Sequence, residues 1–531
     1  MRIRHWILLF GLVNAALYSA LLPLWEGFDE AYHYAYVESL WQTWRLPVLG
    51  QSAIPQDVLA SFQLAPVSHI VQKPIPEAIS FDAWFALPRA EKEQRRGKLE
   101  RLRASPVPTL RGNYEAHQPP LAYAILALFD GCLSRASLLS RVLLLRLIAA
   151  FCSILLIDFG TRRLSNMLRL PGCFADAALF TIFSCQMLYA TVAHIANDWL
   201  AVGLSAVVLY ALARFVAKPG APSARAAALW LAAALLTKAY FLAFGVVAAG
   251  MALLLVWRGR IRVKTLIVPA AILVAIAGPW YARSLSLYGD VSGMAQDLNG
   301  VGFRRAMAAA PHIDWVATSG YLARASLWTG NNSFTTFSRL TLNLVLAVLL
   351  LAMLLWGVRA RQTGPVERMM AAVIIVFAAA IAYETCMIFA FARGQAAGAA
   401  PWYSEALLPP VIVLAYLGMS RSGNWGRIPA IATLAIWSWV LVATWTLKLF
   451  PMYGSGAAGP MRLRDLWSFY SGSANPMDNL SLLALAPAPL LYAGLVVVLL
   501  LGVSVCTALI RGFVTSPAPI SPIAENCYNS F

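Results

Sequence analysis

The chain has 531 residues, of which 60% are hydrophobic and 12% charged, with a mean hydropathy of +0.67. That composition excludes a soluble globular domain. The formal charge of +17 would point to nucleic acid in a soluble protein, but here much of it falls in short loops between apolar runs, so no nucleic-acid partner is inferred.

Apolar runs of about 18 or more residues recur along the chain without strand-like alternation, which predicts an all-α polytopic membrane protein rather than a barrel. The first run, Trp6–Trp25, follows a basic start, Met1–His5. Ser19-Ala20 could imitate a signal-peptide cleavage site, but the run continues to Trp25, so it reads as an uncleaved first span. The seven cysteines form no CxxC pair and mostly lie in apolar runs, which predicts neither disulfides nor a cysteine metal site.

A loop of about ninety residues follows, to Gln118. It opens on Trp25-Glu26-Gly27-Phe28-Asp29-Glu30-Ala31-Tyr32-His33, three carboxylates and a histidine where an apolar helix ends. Asp29 and Glu30 have two readings: a cap and first turn for a helix over Ala31–Trp44, or carboxylates held at the membrane surface for acid/base chemistry. Pro88–Arg103 reads as a second, highly charged helix, first of all a solvated face. Asn113-Tyr114-Glu115-Ala116-His117-Gln118-Pro119-Pro120 precedes an apolar piece, Leu121–Leu133, that is too short to span and is expected to lie in the interface.

Further spans are expected near Val142–Gly160, Gly172–Ile195, Asp198–Phe215, Ala226–Lys238, Ala239–Trp257, Leu266–Arg283, Leu340–Gly357, Met369–Phe391, Tyr403–Ser420, Ile428–Phe450 and Pro487–Ile510. That makes about twelve transmembrane helices with both ends cytoplasmic, because every short basic loop then falls inside. The organisation expected is a first span (1–25), an outer loop with interfacial helices (26–141), spans two to seven (142–283), a second outer loop (284–339), spans eight to eleven (340–450), a third outer loop (451–486), a last span (487–511) and a disordered cytoplasmic tail (512–531). The large loops share the outer face, and with them Asn197, Asp198, Lys238, Arg283, Tyr403 and Glu405 at span ends. Each alone has a plain explanation, a cap for Asp198 or snorkelling for Lys238, but the shared side suggests one site.

These residues resemble the GT-C superfamily of integral-membrane glycosyltransferases, in its protein O-mannosyltransferase and aminoarabinose-transferase branch. Asp29-Glu30 is similar to that branch's acidic signature in the first outer loop, and Glu115-Ala116-His117-Gln118-Pro119-Pro120-Leu121 to its second. Asn197-Asp198, Thr237-Lys238 and Pro279-Trp280-Tyr281-Ala282-Arg283 resemble later positions, over roughly residues 1 to 420. The chain departs from it at Pro401-Trp402-Tyr403-Ser404-Glu405, where many relatives carry an Arg-Tyr pair, so Arg393 would have to substitute.

The resemblance implies a hexosyl or pentosyl transfer from a polyprenyl-phosphate donor to a protein, glycan or lipid acceptor. The reaction would be an inverting single displacement on the outer face of a bacterial-type inner membrane. Asp29 would be the general base, with Glu30 in support. Lys238, Arg283, Arg393, Tyr403, Glu115 and His117 would bind substrate, and Asp29 with Asp198 would hold a divalent metal if one is used. The rival classes are a transporter or flippase for a glycolipid, and a scaffold. Ionisable groups at span ends rather than at mid-membrane favour the enzyme.

Overall fold

The computed structural model describes residues 3–68, 75, 78–292, 301–328, 337–359, 363–395, 398–456, 462–471 and 476–515. Among these, nine helices are long and apolar enough to cross a membrane, or eleven if each of two bent pairs is one span. The expected disordered tail begins at 512; helix occupies it to Thr515 and the rest lies outside the described residues.

In chain order, the elements that matter below are α1 (Ile3–Leu21), α2 (Glu30–Thr43), α3 (Arg89–Arg101), α4 (Leu121–Cys132) and α5 (Leu138–Met167). Next come α6 (Gly172–Ser184), α7 (Gln186–Val192), α8 (Asp198–Ala217), α9 (Ala221–Leu235) and α10 (Leu242–Trp257). The rest are α11 (Lys264–Ile276), α12 (Gly278–Tyr288), α13 (Arg339–Gly357), α14 (Pro365–Phe391), α15 (Leu408–Ser420), α16 (Arg427–Ala443) and α17 (Ala488–Thr515).

Two expected straight spans are broken. The Gly172–Ile195 run becomes α6 and α7, bent by 58° at Cys185. The break frees carbonyls that no lipid could satisfy. The Gln186 amide donates to Ser184 O at 2.9 Å and the Tyr189 hydroxyl to Phe183 O at 2.7 Å, while Tyr18 on α1 donates to Gln186 at 3.1 Å. The Leu266–Arg283 run becomes α11 and α12, bent by 47° at Ala277-Gly278-Pro279, where the proline supplies no N–H to continue the ladder. α9 has 15 residues, about 22 Å at the helical rise, short of the roughly 30 Å hydrocarbon core. The expected twelfth crossing depends on this helix.

Close helix approach follows from small residues, as in other membrane bundles. A Cβ at Gly160 on α5 would lie 2.5 Å from the Ala206 backbone of α8, so the two helices approach this closely here because residue 160 is Gly.

The loop after α1 is ordered as a cap on one end of the bundle. Its expected helices form as α2 and α3, but it also holds a short antiparallel pair, Ala53–Pro55 with Pro108–Gly112, that the all-helical expectation lacks. α3 carries three i,i+4 ion pairs, Arg89–Glu93, Arg95–Glu91 and Arg96–Glu100. Arg89 also reaches Asp478 at 2.5 Å, and Arg96 donates to Ala484 O at 2.8 Å, so the charged helix docks on the short helix Pro476–Leu483 and the residue after it, just before α17. α4 is a 12-residue apolar helix that packs on α2: Trp41 donates to Asp130 at 2.7 Å.

Candidate functional site

Between α1 and α2 the chain turns twice through the left-handed region, at Trp25 (φ 62°) and Asp29 (φ 56°). Non-glycine residues there cost on the order of 1–3 kcal/mol each and persist only where the surroundings over-determine them. Gly27, between them, is obligatory: a Cβ would sit 2.4 Å from His194 Cβ.

This geometry decides what Asp29 does. Asp29 stands in the cap position of α2, yet its side chain makes no cap hydrogen bond. Its Oδ1 instead accepts from the Tyr114 hydroxyl at 2.5 Å. Burial raises the Asp29 carboxyl above the ordinary carboxylate range; the Tyr114 hydrogen bond and the Lys238 charge pull it partly back, and Asp198 pushes it up again. Asp29 is therefore close enough to Lys238 and Asp198 to feel both charges.

Glu30, one residue on, is held differently. Its carboxylate is fully enclosed and takes a bidentate contact from Arg146 on α5, with Nε at 2.7 Å and Nη2 also bonded, plus the Ile195 N–H at 3.0 Å. Arg146 also donates to the carbonyls of Leu22 (2.6 Å) and Pro23 (2.8 Å). One ion pair thus binds the end of α1, the start of α2, the middle of α5 and the segment before α8.

Lys238 and Asp198 form a second buried pair, Nζ to Oδ1 at 2.5 Å. The ammonium also lies 4.3 Å from the centre of the Tyr403 ring, a cation–π arrangement. His33 accepts or donates at Nδ1 to the Tyr123 hydroxyl (2.8 Å) and lies 3.7 Å from Glu115. Burial, with Lys238, His194 and His117 adding to it, holds His33 well below the usual imidazole range, so it is neutral and its Glu115 contact is polar rather than ionic. His117 donates from Nδ1 to Tyr114 O at 2.9 Å, which leaves Nε2 to accept from Gln118 at 3.3 Å.

A cavity of about 240 Å³ opens beside this network. Its lining mixes polar groups, among them His117, Gln118, Lys238, Tyr240, Glu384 and Tyr403, with apolar ones, Leu242 and Ala243 of α10 and Phe377, Ala380, Ile381 and Met387 of α14. Leu242 is 41% exposed, so part of the apolar lining lies at the surface of the molecule.

Of the residues singled out in the sequence, the structure brings together Asp29, Asp198, Lys238, Glu115, His117 and Tyr403. Of these, Lys238, His117 and Tyr403 line the cavity, while Asp29, Asp198 and Glu115 belong to the network beside it. Arg283 and Arg393 stand apart. Arg283 donates to Pro47 O at 2.8 Å and stacks on Trp280 at 5.1 Å. Arg393 is exposed, in a left-handed turn after α14. Two participants were not singled out, Tyr114 and Glu384, and His33 was noted only as the histidine of the first loop's opening stretch. Tyr114 sits in the motif already quoted, and Glu384 is a carboxylate inside an apolar run, a recognised sign of function.

Asp29 and Asp198 do not fit a shared divalent ion. One is held by a tyrosine hydroxyl and the other by an ammonium. Among the described residues no three His, Cys, Asp or Glu side chains converge in a metal-binding group.

No family model and no curated protein sequence matches the chain. Among solved structures it is similar to the crystal structure of ArnT from Cupriavidus metallidurans bound to undecaprenyl phosphate. Identity is 14%, with 94% of this chain and 77% of that chain covered, and a TM-score of 0.46. It is also similar to the crystal structure of ArnT from Cupriavidus metallidurans in the apo state, at 16% identity, 84% and 75% coverage and a TM-score of 0.39. Likenesses this distant do not decide the chemistry of the site; its geometry does.

Proposed function

We infer that the protein is a membrane glycosyltransferase that moves a sugar from a polyprenyl-phosphate donor to an acceptor hydroxyl. The observation that carries this reading is the mixed lining of the cavity: the buried Lys238 ammonium together with the apolar side chains of α10 and α14. A ligand that is anionic at its head and hydrocarbon in its tail meets both kinds of wall. Lys238 receives the phosphate, and the apolar side chains of α10 and α14 receive the first isoprene units.

Asp29 is the base. The acceptor oxygen attacks the anomeric carbon while Asp29 takes its proton, and the bond from that carbon to the phosphate oxygen breaks in the same displacement. The electron pair stays on the leaving phosphate, next to the Lys238 ammonium. A carboxyl raised above its ordinary range by burial is a better base near neutrality than a solvated one. Phosphate leaves readily and needs no strong acid opposite, and inversion at the anomeric carbon follows. Tyr114 holds the carboxylate in place, and the Glu30–Arg146 pair supports it by holding together the fold around the turn that carries Asp29. Glu115 and His117 face the acceptor side, Tyr403 flanks the phosphate, and Arg283 and Arg393 serve the donor at longer range. We place this end of the bundle on the outer face, with α4 in the interface and α9 as the twelfth crossing.

Asp29→Asn tests the base. Since the side chain does not cap α2, the amide should leave folding intact. It cannot take a proton, and the loss of a general base typically lowers the rate by about 10²–10⁴. Transfer from a polyprenyl-phosphate sugar, measured at equal amounts of folded protein, should fall by that factor with donor binding retained. Near-full transfer would move the base elsewhere.

A further inference from the structure

A second cleft, of about 330 Å³, lies between α5, α8 and α9. Its position follows from helix arithmetic. Arg146, beside Glu30, and Arg163, in the cleft, are both on α5, so they are separated by about 25 Å along it. Asp198, in the candidate site, and Arg214, in the cleft, are separated by about 24 Å along α8. Both figures approach the roughly 30 Å hydrocarbon thickness, so the cleft sits at the headgroup level of the opposite leaflet.

Two guanidinium groups converge there, and each is propped on an aromatic ring. Arg163 lies 5.5 Å from the centre of Phe159 and Arg214 5.9 Å from that of Tyr210, while the two rings meet edge to face at 6.0 Å. Neither guanidinium makes a hydrogen bond or ion pair with a described residue. The neighbouring Arg162 shows what a structural arginine looks like here: it is taken up by Asp158 at 2.9 Å and Asp176 at 3.4 Å. Those are the acids at hand, and both are occupied. Stacking on a ring fixes the plane of a guanidinium but uses none of its N–H donors, which leaves a preset fork for a tetrahedral oxyanion. The remaining wall is Ala211, Ala226, Ser223 and the large rings of Phe159 and Trp230, which are 43% and 38% exposed.

We propose that this cleft is a phosphate-binding site for an anionic phospholipid, with Arg163 and Arg214 holding the phosphodiester and Phe159 and Trp230 flanking the first acyl carbons. Basic pockets between transmembrane helices at one membrane face bind anionic headgroups in this way. The site is separate from the Asp29 cavity, and it stands whether or not the transferase reading does.

The test uses full-length protein purified in a neutral detergent and stripped of lipid. Phosphatidylglycerol, phosphatidylcholine and inorganic phosphate are titrated separately, with binding of the two lipids read by native mass spectrometry and of phosphate by calorimetry. Wild-type protein should bind phosphatidylglycerol at least about tenfold more tightly than phosphatidylcholine, the value of one charge-assisted contact. Arg163→Gln with Arg214→Gln should erase that preference, whereas Arg169→Gln with Arg225→Gln, on residues that do not line the cleft, should keep it. Should the first double variant fold poorly, salt decides on the wild type: raising NaCl from about 50 to 500 mM should weaken phosphatidylglycerol binding, since exposed charge contacts are screened. Equal affinity for the two lipids, an unchanged preference in the Arg163/Arg214 variant, or salt-insensitive binding each overturns the proposal. Inorganic phosphate binding as tightly as phosphatidylglycerol, and lost in the same variant, overturns the lipid as the source and leaves a soluble phosphate ligand.

Discussion

Adjacent carboxylates in this chain should fail in opposite ways. Glu30→Gln is the informative change, set against Asp29→Asn. The Glu30 carboxylate and the Arg146 guanidinium are both fully buried, and the pair is bidentate with a third contact from the Ile195 N–H. Glutamine is nearly isosteric, but it offers one acceptor oxygen where there were two and turns an N–H₂ toward the guanidinium. Arg146 would then be neutralised only by the dipoles of the Leu22 and Pro23 carbonyls. Removing one partner from a buried ion pair costs about 3–5 kcal/mol, because the remaining charge has no compensation. Against a typical folding stability of about 5–15 kcal/mol, that is a large fraction. The expected outcome is a low folded yield and early thermal unfolding in detergent, with the surviving folded fraction keeping much of its transfer per molecule. Glu30→Leu combined with Arg146→Met removes both charges and should recover part of the lost stability, the remainder reflecting carbonyls left without a donor. The assay is the unfolding midpoint alongside single-turnover transfer per folded molecule. Wild-type stability with abolished transfer in Glu30→Gln would refute this reasoning and make Glu30 a reacting group.

Three further outcomes follow from the same geometry. Lys238→Met should weaken polyprenyl-phosphate binding by roughly ten- to a hundredfold, read by equilibrium binding of the donor lipid; unchanged affinity removes Lys238 from the phosphate site. Tyr114→Phe deletes a hydrogen bond that lowers the Asp29 pKa, so that pKa should rise and the acidic limb of the transfer rate profile should move to higher pH, with an unmoved limb disconnecting Tyr114 from the base. In the cluster where Glu38, Asp57 and Asp130 face Arg141, burial and then the charges of Asp57 and Asp130 push Glu38 up to about 8, while burial alone pushes Asp57 to about 6. Both folded values are raised, so the folded state binds more protons than the unfolded chain, and stability should fall as pH rises from the ordinary carboxylate range through about 8. Unfolding midpoints at pH 6 and pH 9 measure this, and Glu38→Gln, which imitates the protonated form, should flatten the difference.

Much of the fold was legible in the sequence because hydropathy reports directly on what lipid tolerates. The helices over Glu30–Thr43 and Arg89–Arg101 fall within a residue or two of expectation. The break at Cys185 was not legible, since no glycine or proline marks it and the compensating groups, Gln186 and Tyr189, look like ordinary helix residues. The break at Gly278-Pro279 did carry its signal, and hydrophobic continuity masked it. In the site, composition at span ends singled out Lys238 and Asp198, but could not show that they pair with each other. Pairing across 40 residues, or across the 116 between Glu30 and Arg146, is a property of helix packing that a single sequence does not display. Whether Asp29 caps its helix depended on one left-handed backbone angle, which no residue type there announces.

The Arg146 contacts also bear on how the chain is made. Arg146 emerges 116 residues after its partner Glu30, which at about 5–20 residues per second of synthesis is an interval of roughly 6–23 s. Throughout that interval the first span is already available for insertion, while Glu30 and the carbonyls of Leu22 and Pro23 have only water and lipid headgroups to satisfy them. The segment must therefore wait at the membrane surface and enter its buried position only when α5 arrives. An insertion intermediate truncated before Arg146 should leave residues 22–30 open to protease, and one truncated after α8 should protect them.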